Sequence, residues 1–219
     1  VTTNITLVSD LTTTGTCFTV TADNVTLDCD GHSIVGDKTG LDNGVKADSV
    51  QNITIKNCDI TNFYRAILID SSDECLVINN NLSNSTYYGV RVSNGDRNNI
   101  NNNSINNCSN SGFSIFSAEG NIVSGNTISD NDLGLEVGGS ASNNSIYNNN
   151  FNNTINVQDT SGETNYWNTT YDCSVSGQNI LREDCLGGNF WGDYNGTDDG
   201  NGSYPHNESN DGIGDVPST

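Results

Sequence analysis

The feature that most constrains this chain is an apolar phase that returns every 22 or 23 residues. Five segments begin and end on an apolar residue: Ile55 to Ile60, Val77 to Leu82, Ile100 to Ile105, Val123 to Ile128 and Ile146 to Phe151. A second element keeps the same step. It reads Ala66-Ile67-Leu68-Ile69, Gly89-Val90-Arg91-Val92, Gly112-Phe113-Ser114-Ile115 and Gly134-Leu135-Glu136-Val137. Its second and fourth residues are apolar and its third varies, the alternation that a strand's pleat produces. Val45 and Ala47 around Lys46 are an earlier copy. A repeat of this length, with short strands and no amphipathic helix, is a solenoid whose equivalent residues stack about 4.8 Å apart. The chain is therefore expected to be all-β, a single-stranded right-handed parallel β-helix of about 23 residues per coil. Residues 1–160 form the helix; 161–219 form an irregular acidic C-terminal cap.

This architecture reconciles the fold with the composition. Only 32% of the 219 residues are hydrophobic, too few for an ordinary two-layer core. A narrow core built from inward files needs fewer. Those files are Val77, Ile100, Val123, Ile146; Leu82, Ile105, Ile128, Phe151; and Ile67, Val90, Phe113, Leu135. Asparagine is periodic too: Asn80, Asn103, Asn126 and Asn149 form one series, Asn98, Asn121 and Asn144 another. An amide side chain both donates and accepts, so stacked copies can bond as a ladder at a corner. None of these seven begins an Asn-x-Ser/Thr sequon. The sequons begin at Asn4, Asn24, Asn52, Asn81, Asn84, Asn102, Asn107, Asn143, Asn152, Asn168, Asn195, Asn201 and Asn207. The reading is ladder asparagines inside and glycan-bearing asparagines outside.

The net charge of −20, with seven Lys and Arg, excludes a basic stripe for nucleic acid. No run of about 18 apolar residues offers a membrane span. Sequons, seven Cys and a first residue Val1 rather than Met suit a chain exported after removal of a signal, secreted or held at the cell surface. Cys173 with Cys185, and Cys17 with Cys29, share a 12-residue spacing and are the favoured disulfides. Cys58 either packs at the corner that Asn80 takes one coil later or bridges to Cys29. An odd count leaves at least one Cys without an internal partner. In the tail, Asp198, Asp199, Asn201, Asp211 and Asp215 are candidate ligands for a structural Ca²⁺, which takes six to eight oxygens. The alternative is a solvated acidic turn. Trp167, Phe190, Trp191 and Tyr194 read as an apolar lid on the last coil.

Three stretches carry a resemblance. Asp23-Asn24-Val25-Thr26-Leu27-Asp28-Cys29-Asp30-Gly31-His32-Ser33-Ile34, the Asn-rich coils, and Gly188-Asn189-Phe190-Trp191-Gly192-Asp193-Tyr194 with Asp211-Gly212-Ile213-Gly214-Asp215-Val216-Pro217 resemble NosD-like repeats. These belong to the carbohydrate-binding and sugar-hydrolase β-helix superfamily and are of the type found in archaeal surface proteins. The resemblance implies the fold, and roles in copper delivery or on polysaccharides. The residues argue against the first: two His and no Met make a poor soft-metal set. They also argue against catalysis. The aligned outward positions Lys46, Leu68, Arg91, Ser114, Glu136 and Gln158 change type at every coil, whereas sugar chemistry needs clustered carboxylates. His32 and the Asp28/Asp30 pair read as corner chemistry, so no catalytic residue is assigned. The expected role is a non-catalytic, glycosylated extracellular structural protein that polymerises with itself into a filament, sheath or layer. The alternative is a polysaccharide-binding surface module; a sugar-active enzyme is a more distant third.

Overall fold

The computed structural model describes residues 1–168 and 188–192, and those residues form a parallel β-solenoid of twenty-two strands. The first sheet stacks β1 (Ile5–Thr6), β4 (Thr26–Asp28), β7 (Thr54–Lys56), β10 (Leu76–Ile78), β13 (Asn99–Asn101), β16 (Ile122–Ser124) and β19 (Ser145–Tyr147). The second stacks β2 (Leu11–Thr12), β5 (Ser33–Val35), β8 (Asp59–Thr61), β11 (Asn81–Ser83), β14 (Ser104–Asn106), β17 (Thr127–Ser129), β20 (Asn150–Asn152) and β22 (Phe190–Trp191). The third stacks β3 (Phe18–Val20), β6 (Asn43–Asp48), β9 (Arg65–Asp70), β12 (Tyr88–Ser93), β15 (Ser111–Phe116), β18 (Leu133–Gly138) and β21 (Ile155–Asp159). Every ladder is parallel, and crossovers between parallel strands wind right-handed. The fold is the one the repeat requires.

Register follows the apolar phase. Val77 pairs Ile55 and Ile100, Leu82 pairs Ile60 and Ile105, and Val90 pairs Ile67 and Phe113. All the residues of the three inward files are buried, each contributing about 1.5–3 kcal/mol. Strands of the first two sheets turn one residue inward. Those of the third turn two, such as Ile67 and Ile69, and most run six residues. Where the chain enters the third sheet the corner is tight. A Cβ at Gly89 would sit 2.3 Å from Ile105 Cγ2, which is why glycine repeats there.

The corners follow one rule. A residue in the left-handed conformation points out, and the next residue points into the core. Asn79 and Asn102 do this between the first and second sheets, at φ 57° and 53°. Asn84 and Asn107 do it between the second and third, at φ 55° and 54°. Asn24, Asn52 and Asn143 do it between the third and first, at φ 58°, 53° and 56°. Asn tolerates this conformation better than other side chains bearing a Cβ.

The inward corner residues form the ladders. In the first, Asn80, Asn103, Asn126 and Asn149 bond in sequence, with Nδ2 to Oδ1 distances of 2.9, 3.0 and 3.0 Å, and Asn189 continues it at 3.0 Å. In the second, Asn98, Asn121 and Asn144 lead to Asn165, the last two steps each 2.9 Å. A third runs through Asn131 and Asn153 at 2.8 Å. Each Oδ1 also accepts the backbone N–H one coil earlier, as Asn126 does from Asn103 at 2.9 Å. Nδ2 of Asn126 also donates to the carbonyls of Ile100 and Ser124 at 2.9 and 3.1 Å. One side chain thus satisfies backbone groups that a buried corner would leave unpaired.

Candidate binding face

The most chemically dense patch lies on the outer face of the third sheet. Register puts Asn43, Arg65, Tyr88, Ser111, Leu133 and Ile155 in one file, and Lys46, Leu68, Arg91, Ser114, Glu136 and Gln158 in the next. Tyr64 and Tyr87, just before β9 and β12, stack with centroids 5.0 Å apart and planes 5° apart. Tyr88 meets Tyr87 edge-on at 4.4 Å. The Arg65 guanidinium lies 4.5 Å from the Tyr64 ring centre. That of Arg91 lies 5.0 Å from Tyr88 and 5.1 Å from Phe116. Such contacts contribute about 0.5–1 kcal/mol each when exposed, more when dry. The Tyr88 hydroxyl donates to Glu136 Oε2 at 2.9 Å, although Glu136 belongs to the strand two coils on. Tyr88 therefore runs along the solenoid axis. Burial, then the Glu136 carboxylate, raise its pKa above the ordinary phenol value.

The aligned outward positions did not disclose this cluster. They held only Arg91 and Glu136 of it, and change type at every coil. Arg65 and Tyr88 occupy a second outward file three residues earlier, and the tyrosines come from corner segments rather than from strands. The recurrence of Tyr64-Arg65 and Tyr87-Tyr88 one coil apart is the signal that could have found it.

The structure sorts the other candidate residues. Asn4, Asn24, Asn52, Asn81, Asn84, Asn102, Asn107, Asn143 and Asn152 are all exposed, and Asn168 is half-buried. The seven ladder asparagines are buried. Asn195, Asn201 and Asn207 lie outside the described residues. So do the candidate Ca²⁺ ligands Asp198, Asp199, Asn201, Asp211 and Asp215, and the pair Cys173 and Cys185. Trp191 is buried and stacks on Phe151 at 5.0 Å, with Trp167 tilted at 6.4 Å, as a lid would. Phe190 on the same short strand is exposed.

One disulfide expectation is corrected. Cys29 bonds to Cys58, with Cα atoms 4.7 Å apart, and Cys17 is free. The 12-residue spacing misled because residues that meet in a solenoid are about one coil apart. Cys29 and Cys58 occupy equivalent corners on successive coils, where stacking brings them together. Cys17 sits at the entry to the third sheet instead. His32 is a corner residue, with Nδ1 3.2 Å from Asp10 Oδ1. Asp28 accepts from Asn57 at 2.9 Å and pairs with Lys56 at 3.0 Å, which together hold its carboxyl below the usual range.

Fold and face together define a parallel β-helix protein with a buried asparagine scaffold and one aromatic, arginine-bearing outer surface. A family model described as "Periplasmic copper-binding protein (NosD)" matches residues 3–196, and the chain belongs to that family. No curated protein matches it. The family's periplasmic description is consistent with a place outside the cytoplasm, and among the described residues no helix is long and apolar enough to cross a membrane.

The described residues do not fit copper. No three His, Cys, Asp or Glu side chains come together among them. Cys29 and Cys58 are oxidised, and Cys17, Cys75 and Cys108 are free and set apart at different corners. Burial pushes the thiols of Cys75 and Cys108 up to about 11, far from the thiolate that a soft metal requires.

Proposed function

We propose that this chain is a non-catalytic, glycosylated structural protein acting outside the cytoplasm, a rigid rod that stacks end to end with copies of itself. The observation that supports this reading is the set of strand edges at the first coil. Among the described residues, strands β1 and β2 each pair on one side only, while Val1 lies beside β3. Val8 next to β1 is 88% exposed. Such an edge is a template for another strand of the same spacing, and a further coil from a second copy supplies one. The exposed sequon asparagines supply attachment points for glycans. Copper handling is not carried over from the family, given the donor set above.

The test uses the purified chain in light scattering and negative-stain electron microscopy over a range of concentrations. Rods that lengthen with concentration are expected. Leu7 and Thr13 donate their N–H groups inward, to Asp28 and Val35. Strand alternation therefore turns those of Thr6 and Thr12 to the free edge. The double variant Thr6→Pro/Thr12→Pro removes both donors without touching the internal ladders. It should stay monomeric with an unchanged circular dichroism spectrum. A wild-type chain that is a monodisperse monomer at every concentration would sink the proposal.

A second reading is favoured by the cluster on the third sheet. A surface of tyrosine edges and hydroxyls beside guanidinium groups is suited to a polysaccharide, whose apolar ring patches pack on aromatic side chains and whose polar groups bond at the rim. It is compatible with the first reading, since the long face runs along the rod and the edges lie at its end.

A further inference from the structure

The chain carries 27 Asp and Glu against seven Lys and Arg. A cation in such a molecule should find a carboxylate, and three of the six described Lys and Arg do. Lys46 pairs with Asp48 at 2.7 Å, Lys56 with Asp28 at 3.0 Å, and Arg97 with Glu74 at 3.3 Å. Lys38 stands exposed in a turn. Arg65 and Arg91 are different. Both are partly buried, both lean on aromatic rings, and neither has an ion-pair partner among the described residues. Nε of Arg65 is buried without a hydrogen-bond partner among the described residues. Burial is the main cause lowering the basicity of Arg65, and the charge of Arg91 adds to it. The nearby carboxylates are otherwise engaged: Tyr88 holds Glu136 and Lys46 holds Asp48. Two partly buried like charges on adjacent strands, close enough for one to lower the other's basicity, are unfavourable until an anion joins them.

We propose that Arg65 and Arg91 bind the carboxylate of a uronic-acid-bearing polysaccharide, with the edges of Tyr64 and Tyr87 against its sugar rings. This rests on the polysaccharide-binding reading and names its ligand class. A guanidinium presents a planar fork that matches a carboxylate. Tyr64 and Tyr87 cover each other's faces, so their edges supply an apolar wall for the ring that bears it. The rest of the molecule, at a net charge of −20, repels densely charged chains such as nucleic acids. That leaves polymers whose single charges are spaced between sugar rings.

The experiment measures affinity for three soluble polymers by calorimetry in low salt with a chelator present. They are sodium polygalacturonate, its fully methyl-esterified form, and a neutral β-glucan. Wild-type binding to polygalacturonate, lost on esterification and weakened by salt, is expected. Arg65→Gln and Arg91→Gln should each weaken it by about tenfold or more. Tyr87→Ala should weaken it as well, while Lys38→Gln should leave it unchanged. Thermal melts of each variant separate lost binding from lost folding. Equal binding to the acidic and esterified polymers, or to the glucan, would overturn the carboxylate assignment and leave the polysaccharide reading standing. Binding of none of the three would overturn both. Full affinity in folded Arg91→Gln would overturn the role given to that residue.

Discussion

The first coils and the later ones close the same corners by different chemistry. In the file between the first and second sheets, Leu7, Cys29 and Cys58 precede Asn80, Asn103, Asn126, Asn149 and Asn189. Between the third and first sheets, Val25, Ile53 and Cys75 precede Asn98, Asn121, Asn144 and Asn165. Between the second and third, Phe63, Ser85 and Cys108 precede Asn131 and Asn153. Each file begins apolar and ends as an amide ladder, and in each a cysteine stands at the junction. The reason is that cysteine serves both neighbours. Its small apolar side chain packs on the earlier coil, while its backbone N–H is taken by the first ladder amide at 3.0, 2.8 and 2.8 Å. The sulfur also lies over the carbonyl two residues back, at 3.4 Å in Cys75 and 3.7 Å in Cys108. Ladder amides such as Asn103 and Asn126 use that same carbonyl position.

The contrast can be broken most sharply in the middle of a ladder. Asn126→Ala removes an NH2 group shared among three acceptors and an Oδ1 that accepts two N–H groups, all at a buried corner. A loss of roughly 3 kcal/mol or more is expected in chemical denaturation. A cost under about 1 kcal/mol would mean that the core files alone hold the coils. Next in size is the disulfide, which joins two of the early coils, before the buried amide ladders begin. Cys29→Ala/Cys58→Ala should cost about 2–4 kcal/mol. The smallest effect probes the junction itself. Ser85, one coil before Cys108, has a buried hydroxyl that no backbone or amide group satisfies among the described residues. Cys108→Asn would extend the amide ladder towards it, and stability should move by less than about 1 kcal/mol. The reverse exchange, Asn131→Cys, should cost more, because it leaves the N–H of Cys108 unaccepted.

These features were unevenly legible in the residues. The three core files and two of the ladders repeat at fixed steps, so periodicity alone placed Val77, Asn80 and Asn98. The third ladder was missed because Cys108 and Ser85 interrupt it, leaving only Asn131 and Asn153 as visible steps. The Cys29–Cys58 bridge is one of the two readings that Cys58 allows, whereas the Cys17–Cys29 pairing fails because spacing along the chain does not show position within the coil. The Tyr64, Arg65, Tyr88 and Glu136 cluster is a matter of side-chain direction on two adjacent files. No single-file comparison contains it.

The corner rule has an effect on the surface. An outward Asn in the left-handed conformation comes first, then an inward ladder residue, then a hydroxyl residue opening or leading to the next strand. Asn102-Asn103-Ser104 and Asn143-Asn144-Ser145 follow that order, as does Asn107-Cys108-Ser109. The turn that builds the corner therefore spells a glycan acceptor as it does so. Glycans placed there would stand as crests along the rod. None of the ten acceptor positions among the described residues falls within a strand of the third sheet, so the face carrying Arg65 and Arg91 would remain a bare trough between two of those crests.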